Sequence, residues 1–282
     1  MDRYAVMGNP IAHSLSPRIH RLFAEQTGDT LSYEAILVPR DGFAEAVAAF
    51  KAEGGKGLNV TLPFKREAWE LVDERRPRAA HAGAVNTIVI QDDGRLTGDN
   101  TDGAGLLRDL TTNNGIRVED AEVLLLGAGG GVRGVLEPLL AAKPRCVVIA
   151  NRTAVRARQL ARDFGDHGQV HGCGFDELSG KQFDLIINGT AASVQGEVPG
   201  IPDDSLREGG CCYDMFYGRE PTAFVRWGLE RGAVRSIDGL GMLVEQAAES
   251  YALWRGVRPE KTAELIAALA PPLVGNKPLR NS

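Results

Sequence analysis

The chain has 282 residues, 43% hydrophobic and 24% charged, which is the composition of an ordinary globular protein and the length of about two domains. Its 32 Lys and Arg against 37 Asp and Glu give a net charge of −5, which argues against sequence-independent nucleic-acid binding, a process driven by cationic neutralisation of phosphate. No apolar run suits a membrane span and Met1-Asp2-Arg3-Tyr4 lacks a secretory layout, so a cytoplasmic protein is expected.

Short apolar runs alternate with amphipathic stretches, the pattern of an α/β fold with mainly parallel sheets covered by helices. The first set predicts strands over residues 4–7, 33–38, 57–60 and 84–91. Asp92-Asp93-Gly94 then turns the chain into a strand over 95–98. Helices fit 17–27, 42–51 and 65–72, and the stretch 100–116 carries a connecting helix. A second set of strands follows over 122–126, 146–150, 183–187, 211–214 and 234–237, with helices between them. After Asp238 the pattern is helical again, over 240–255 and 259–268, and these helices are free to pack back on the first set. From Pro271, prolines and polar residues predict a disordered tail over 271–282.

In the second set, Val123-Leu124-Leu125-Leu126 runs straight into Gly127-Ala128-Gly129-Gly130-Gly131-Val132-Arg133-Gly134. A buried strand opening through glycines into a helix lets backbone N–H groups and the positive end of the helix dipole approach a pyrophosphate. Counted from Gly127, the spacing G-x-G-x-x-G meets Val132 at its third glycine; counted from Gly129 it is satisfied through Gly131 and Gly134. Because the strand ends at Leu126, the first register is preferred, with Gly131 as the small residue that permits close approach. The next strand ends in Asn151-Arg152-Thr153, with Arg156 a turn further on, where an NAD site carries an acid for the ribose 2′-hydroxyl. Two guanidiniums in place of that acid favour NADP.

In the first set, Asn59-Val60-Thr61-Leu62-Pro63-Phe64-Lys65 brings a lysine to the end of a strand beside apolar Leu62 and Phe64, whose partial desolvation would suit it to proton transfer. Asn100-Thr101-Asp102-Gly103 is a second polar strand-to-helix junction. Asp102 suits two roles there, a partner for the lysine or a helix N-cap. Ser16 before Pro17 likewise reads as an N-cap, and with Ser14 as a pair of hydroxyls for a polyhydroxylated or carboxylated small molecule. His13 reads as a hydrogen bonder in its turn, and His20 lies on the following helix. Cys211 and Cys212 are adjacent, Cys146 sits in an apolar run, and no Cys-x-x-Cys occurs, so the four cysteines read as buried thiols. His167, His171 and Cys173 lie close together without a fourth ligand at a familiar spacing, and no metal is expected.

Asn9-Pro10-Ile11, His13-Ser14, Ser16-Pro17, the 59–65 segment, Gly83-Ala84-Val85-Asn86-Thr87, Gly98 with Asn100-Thr101-Asp102-Gly103, and Asp238-Gly239-Leu240-Gly241-Met242-Leu243 with Gln246-Ala247 together resemble the shikimate dehydrogenase family. The resemblance extends over about residues 4–254. It implies two α/β domains, residues 1–101 binding substrate and completed by helices of 240–270, and residues 102–239 forming a Rossmann-like NADP domain. It also implies NADP-dependent interconversion of shikimate and 3-dehydroshikimate in chorismate and aromatic amino acid biosynthesis, by a monomer or homodimer. Carried over by position, Lys65 is the acid/base and Asp102 its partner. Ser14, Ser16, Thr61, Asn86, Tyr217 and Gln246 hold the substrate, while Gly127, Ala128, Gly129, Gly130, Gly131, Asn151, Arg152, Thr153, Arg156, Thr190, Met215 and Gly239 face the cofactor.

The sequence departs from the family at Arg75-Arg76-Pro77-Arg78, where a Leu-Ser/Thr pair and an acid are common, and at Ala191-Ala192-Ser193, where two serines and a glycine commonly follow the threonine. Local differences are expected there. Two other readings stand beside this one: a quinate/shikimate or aminoshikimate dehydrogenase with another cofactor or substrate preference, and a catalytically silent NADP-binding regulatory module. The presence of both Lys65 and Asp102 argues against the second.

Overall fold

The computed structural model describes residues 1–270, so the tail expected over 271–282 lies outside the described residues. The first sheet contains β1 (Asp2–Gly8), β2 (Leu31–Leu37), β3 (Gly55–Val60), β4 (Glu74–Arg75), β5 (Thr87–Ile90) and β6 (Leu96–Asp99), in the order β2-β1-β3-β5-β6-β4. Only β5 runs against its neighbours. Its helices are α1 (Ser16–Thr27), α2 (Phe43–Ala52), α3 (Lys65–Leu71) and α4 (Pro77–Ala82). The expected strand 84–91 is shorter because Ala84-Val85-Asn86 forms the approach to β5, with the Val85 N–H donating to the Lys65 carbonyl at 2.8 Å.

Helix α5 (Asp102–Arg108) continues into one π-helical turn, Asp109–Asn113, and leads to the second sheet. That sheet is parallel throughout, in the order β9-β8-β7-β10-β11-β12. The strands are β7 (Glu122–Leu126), β8 (Cys146–Ala150), β9 (Val170–Cys173), β10 (Phe183–Asn188), β11 (Leu206–Asp214) and β12 (Arg235–Ile237), joined through α6 (Gly130–Ala141), α7 (Ala154–Asp163) and α8 (Ala223–Glu230). This is the doubly wound order, whose direction of winding reverses between β7 and β10 and leaves a crevice at the strand ends. The unbroken apolar run of β7 has its reason in packing: Val123 and Leu125 join one core, Leu124 and Leu126 the other. A strand covered on both faces has no polar side to show.

Helices α9 (Leu240–Arg255) and α10 (Thr262–Leu269) return to the first sheet. Val244, Ala247, Ala248 and Tyr251 of α9 and Leu265 of α10 bury Ile19 and Phe23 of α1. Each of the larger apolar side chains contributes roughly 1.5–3 kcal/mol by burial. The Trp254 ring stacks on Tyr4 at 4.7 Å, and its Nε1–H donates to the Ile88 carbonyl at 3.0 Å. Two glycines let α9 cross α5 closely. A Cβ on Gly105 would stand 2.7 Å from the Gln246 backbone nitrogen, and one on Gly241 would stand 2.0 Å from Asp109 Oδ1. This crossing is what carries Gln246 to the start of α5. Among the described residues, no helix is long and apolar enough to cross a membrane.

Candidate active site

Strands β3 and β6 flank β5 and point the same way, so the helices that follow them start at one edge of the sheet. Lys65 is the first residue of α3 and Asp102 the first of α5. Thirty-seven positions apart in sequence, the Lys65 Nζ and Asp102 Oδ2 meet at 2.5 Å, with side chains 21% and 8% exposed. The other carboxylate oxygen, Oδ1, accepts from Asn86 Nδ2 at 2.8 Å. The amine does not have the apolar surroundings expected from its neighbours in sequence. Leu62 is 72% exposed, and Phe64 turns into the core to stack on Phe43. What faces the amine is a carboxylate.

Both capping expectations are corrected by the same geometry. Thr101, not Asp102, occupies the cap position of α5, and the turn is held by Asp102 N–H donating to Asn100 Oδ1 at 3.1 Å. Ser16 is already helical and makes no cap bond; its N–H donates instead to Ser14 Oγ at 3.3 Å. The Asp102 and Ser16 side chains are thereby available to the cleft.

Ser14, Ser16, Thr61, Lys65, Asn86 and Asp102 line a cleft of about 430 Å³, joined by Gln246 from α9 and, from the second sheet's side, by Tyr217 with Gly131, Met215 and Gly239. Burial, with the charge of Asp238 adding to it, raises the Tyr217 hydroxyl above its usual pKa, so it stays a proton donor. Gln246 Nε2 donates to the Leu243 carbonyl at 2.8 Å, while its Oε1 lies 3.3 Å from Asn86 Nδ2. His13 lies on the wall of this cleft, exposed and without a side-chain hydrogen bond among the described residues, which corrects its reading as a turn bonder. Phe216 and Asn59, absent from the residues expected there, also line the cleft. Phe216 carried no signal beyond its place beside Met215 and Tyr217, whereas Asn59 stood inside a quoted motif but was used only as a marker.

On the other wall, Gly127 adopts φ +107, a conformation that favours glycine, directly after β7. Among the described residues, a Cβ on Gly129 or Gly130 would meet nothing within 4 Å, and one on Gly131 only the Met215 Cε at 3.7 Å, so the loop before α6 is an open cradle. The missing third glycine is also explained. Val132 is fully buried against the turn, and Gly189 at the end of β10 supplies the room, since a Cβ there would stand 2.5 Å from Val132 Cγ2. Past β8, Asn151 Nδ2 donates to the Thr153 carbonyl at 3.0 Å, while Arg152 and Arg156 are exposed. Thr190 is fixed by its N–H and hydroxyl, both donating to Asn188 Oδ1. A Cβ on Gly239 would stand 2.4 Å from the Met215 carbonyl oxygen, so the two cofactor-side segments touch. An open N-terminal cradle plus free cationic side chains at the next strand end fits a dinucleotide bearing an extra phosphate.

The Arg75–Arg78 departure builds the fold. Arg75 lies over the Trp69 ring and donates to the Trp69 carbonyl at 2.6 Å, and Arg78 forks onto Asp99 at 3.1 and 2.7 Å. In the 191–193 departure, Ser193 donates to the buried Asp214 at 2.5 Å. His171 and Cys173 turn out to sit on β9, on which His171 is exposed and Cys173 buried.

Three family models match the chain: the shikimate dehydrogenase substrate binding domain over residues 6–88, shikimate / quinate 5-dehydrogenase over 109–195, and the shikimate 5'-dehydrogenase C-terminal domain over 239–266. A shikimate dehydrogenase (NADP(+)) of Alkalilimnicola ehrlichii is 60% identical, covering 96% of this chain and 99% of its own. That of Thioalkalivibrio sulfidiphilus is 58% identical over the same shares. Among solved structures, the Ael1 enzyme from Pseudomonas putida superposes with a TM-score of 0.90 at 45% identity, covering 97% of this chain and 100% of that one. The shikimate 5-dehydrogenase of Thermus thermophilus, in complex with NADP(H) and shikimate, gives 0.84 at 34% identity, covering 95% and 99%.

Proposed function

The chain belongs to the shikimate dehydrogenase family, and on that premise we propose that it is an NADP-dependent oxidoreductase interconverting shikimate and 3-dehydroshikimate, a step of chorismate and aromatic amino acid biosynthesis. The single observation that carries the mechanism is the 2.5 Å pair of Lys65 and Asp102 at the floor of a cleft whose far wall is the glycine loop. Residues 1–101 with the helices of 240–270 form the substrate-binding body, and residues 102–239 the cofactor-binding body. This reading goes with a cytoplasmic location and a monomer or homodimer.

In the direction of reduction, the Lys65 ammonium donates a proton to the carbonyl oxygen as it becomes an alkoxide; in oxidation the amine takes that proton back. Asp102 stabilises the ammonium and accepts from a substrate hydroxyl, fixing both on one carbon. Ser14, Ser16, Thr61, Asn86, Tyr217 and Gln246 bind the carboxylate and remaining hydroxyls. When bound, the nicotinamide supplies or accepts the hydride. The backbone of residues 127–131 would hold the pyrophosphate, Asn151, Arg152, Thr153 and Arg156 the adenosine ribose and its 2′-phosphate, and Thr190, Met215 and Gly239 the nicotinamide end.

The deciding assay follows absorbance at 340 nm with shikimate and quinate against both nicotinamide dinucleotides. Shikimate with NADP is expected to give the highest kcat/KM. Lys65→Ala is expected to lower kcat by about 10²- to 10⁴-fold while shikimate still binds. A variant with near-normal kcat would refute the assignment of Lys65.

A further inference from the structure

Behind Asp102 lies a network of buried hydroxyl and amide groups. The orientation of its two amides is fixed by their neighbours. Thr101 N–H donates to Asn86 Oδ1 at 2.9 Å, which leaves Asn86 Nδ2 facing Asp102 Oδ1 at 2.8 Å. Asn59 Nδ2 donates to the Asn86 carbonyl at 3.2 Å, which leaves Asn59 Oδ1 to accept from the Tyr33 hydroxyl at 2.8 Å. The Thr87 hydroxyl donates to Asn86 Oδ1 at 2.9 Å. Its oxygen lies 2.7 Å from the Ser250 hydroxyl, which also reaches the Gln246 carbonyl at 3.0 Å. Ser250 accepts in turn from Asn59 Nδ2 at 3.0 Å.

The network thus joins Tyr33, Asn59, Ser250 and Thr87 to Asn86, whose Nδ2 donates to the Asp102 carboxylate. Asn59, Asn86, Thr87 and Ser250 are 5%, 2%, 0% and 0% exposed, so water does not compete for these bonds. Burial holds the Tyr33 hydroxyl well above its usual pKa, with a hydrogen bond from Ser16 opposing the shift, so it stays a proton donor to Asn59. Connected hydrogen bonds in a low-dielectric interior hold the groups they join in one arrangement. Asn86 Nδ2 also lies 2.9 Å from Thr101 Oγ1.

We propose that Ser250 and Thr87 are positioning residues for the reaction, aiming the Asn86 amide at Asp102 so that the carboxylate holds the Lys65 amine and the substrate hydroxyl in register. This rests on the reading of Lys65 and Asp102 given above. Neither residue touches the Lys65 or Asp102 side chain; both act through Asn86.

The test uses the full-length enzyme. Ser250→Ala and Thr87→Val are each expected to lower kcat about 5- to 10-fold with the KM for NADP unchanged, and Thr87→Ser to restore kcat to within about twofold. Tyr251→Phe is the control for stability alone, because its hydroxyl donates to Asp29 elsewhere on α9; it is expected to lower the melting temperature and leave kcat intact. If Ser250→Ala does not fold, the Thr87→Val and Thr87→Ser pair decides. Normal kcat in Ser250→Ala and Thr87→Val, with lost turnover in Asp102→Asn, would overturn the positioning role alone. A fall in kcat for Tyr251→Phe equal to theirs would also overturn it. Normal turnover in Asp102→Asn would overturn the site reading and this proposal with it.

Discussion

Arg152 and Arg156 form no ion pair among the described residues, although nearby Arg133 and Arg158 are paired with Asp163 at 2.6 Å and Glu177 at 2.7 Å. Unpaired guanidiniums at the end of β8 are ready for an anion. Replacing both with alanine is expected to raise the KM for NADP by about 10- to 100-fold, the loss of one or two charge-assisted hydrogen bonds, with little effect on NAD. Initial rates with the two dinucleotides check this, and an equal rise for both would remove the 2′-phosphate role. Lys65 and Asp102 stood out in the sequence because each follows a strand-like run at a polar junction. The surroundings of Lys65 were misread because neighbours in sequence point apart, Leu62 to solvent and Phe64 to the core. Asn59 and Thr87 stood inside motifs, but their parts, like that of Ser250, were not legible there, since the network forms only where partners from β3, β5 and α9 meet at one point.

On α1, the sequence places a histidine where the helix packs on its sheet. The His20 ring stacks on Tyr33 at 4.2 Å with only 7° between the planes, and neither ring nitrogen has a hydrogen-bond partner among the described residues. Burial lowers its pKa from 6.5 to about 3. The folded protein therefore keeps this ring neutral, whereas the unfolded chain takes up a proton as pH falls below 6.5. The stability this ring allows is complete above pH 6.5 and is lost progressively from there towards pH 3. His20→Phe is expected to lose about 2–3 kcal/mol less than the parent protein between pH 7 and pH 4, as read by urea unfolding. Parallel stability curves would refute this. The longer elements were legible from their periodicity. The two-residue β4, the six-residue α4 and β9 were not, being too short or too poor in aliphatic residues to carry a period. In β9, Gly172 is required by a close approach to α7, where a Cβ would stand 2.3 Å from the Ala157 carbonyl oxygen.

In the molecule as a whole, the doubly wound sheet was legible because a strand buried on both faces reads as an unbroken aliphatic run, and the reversed β5 because Asp92-Asp93-Gly94 announces a hairpin. The destination of α9 was not legible from its own pattern, since an amphipathic helix specifies a buried face but not which sheet will bury it; the family resemblance supplied that. A chain ended after Gly239 loses Val244, Ala247, Ala248 and Tyr251 from the core beneath α1. Such a chain is expected to lose shikimate binding while keeping NADP binding, measured by calorimetry; shikimate affinity equal to that of the intact protein would refute this. The same excursion of the polypeptide out of the first sheet and back sets an order on the ribosome. The whole middle body, from β7 to β12, has emerged before α9 exists, so it can mature first even though the other body begins the chain. Until residues beyond 240 clear the exit tunnel, Ile19 and Phe23 lack the side chains of α9 and α10 that cover them in the finished molecule.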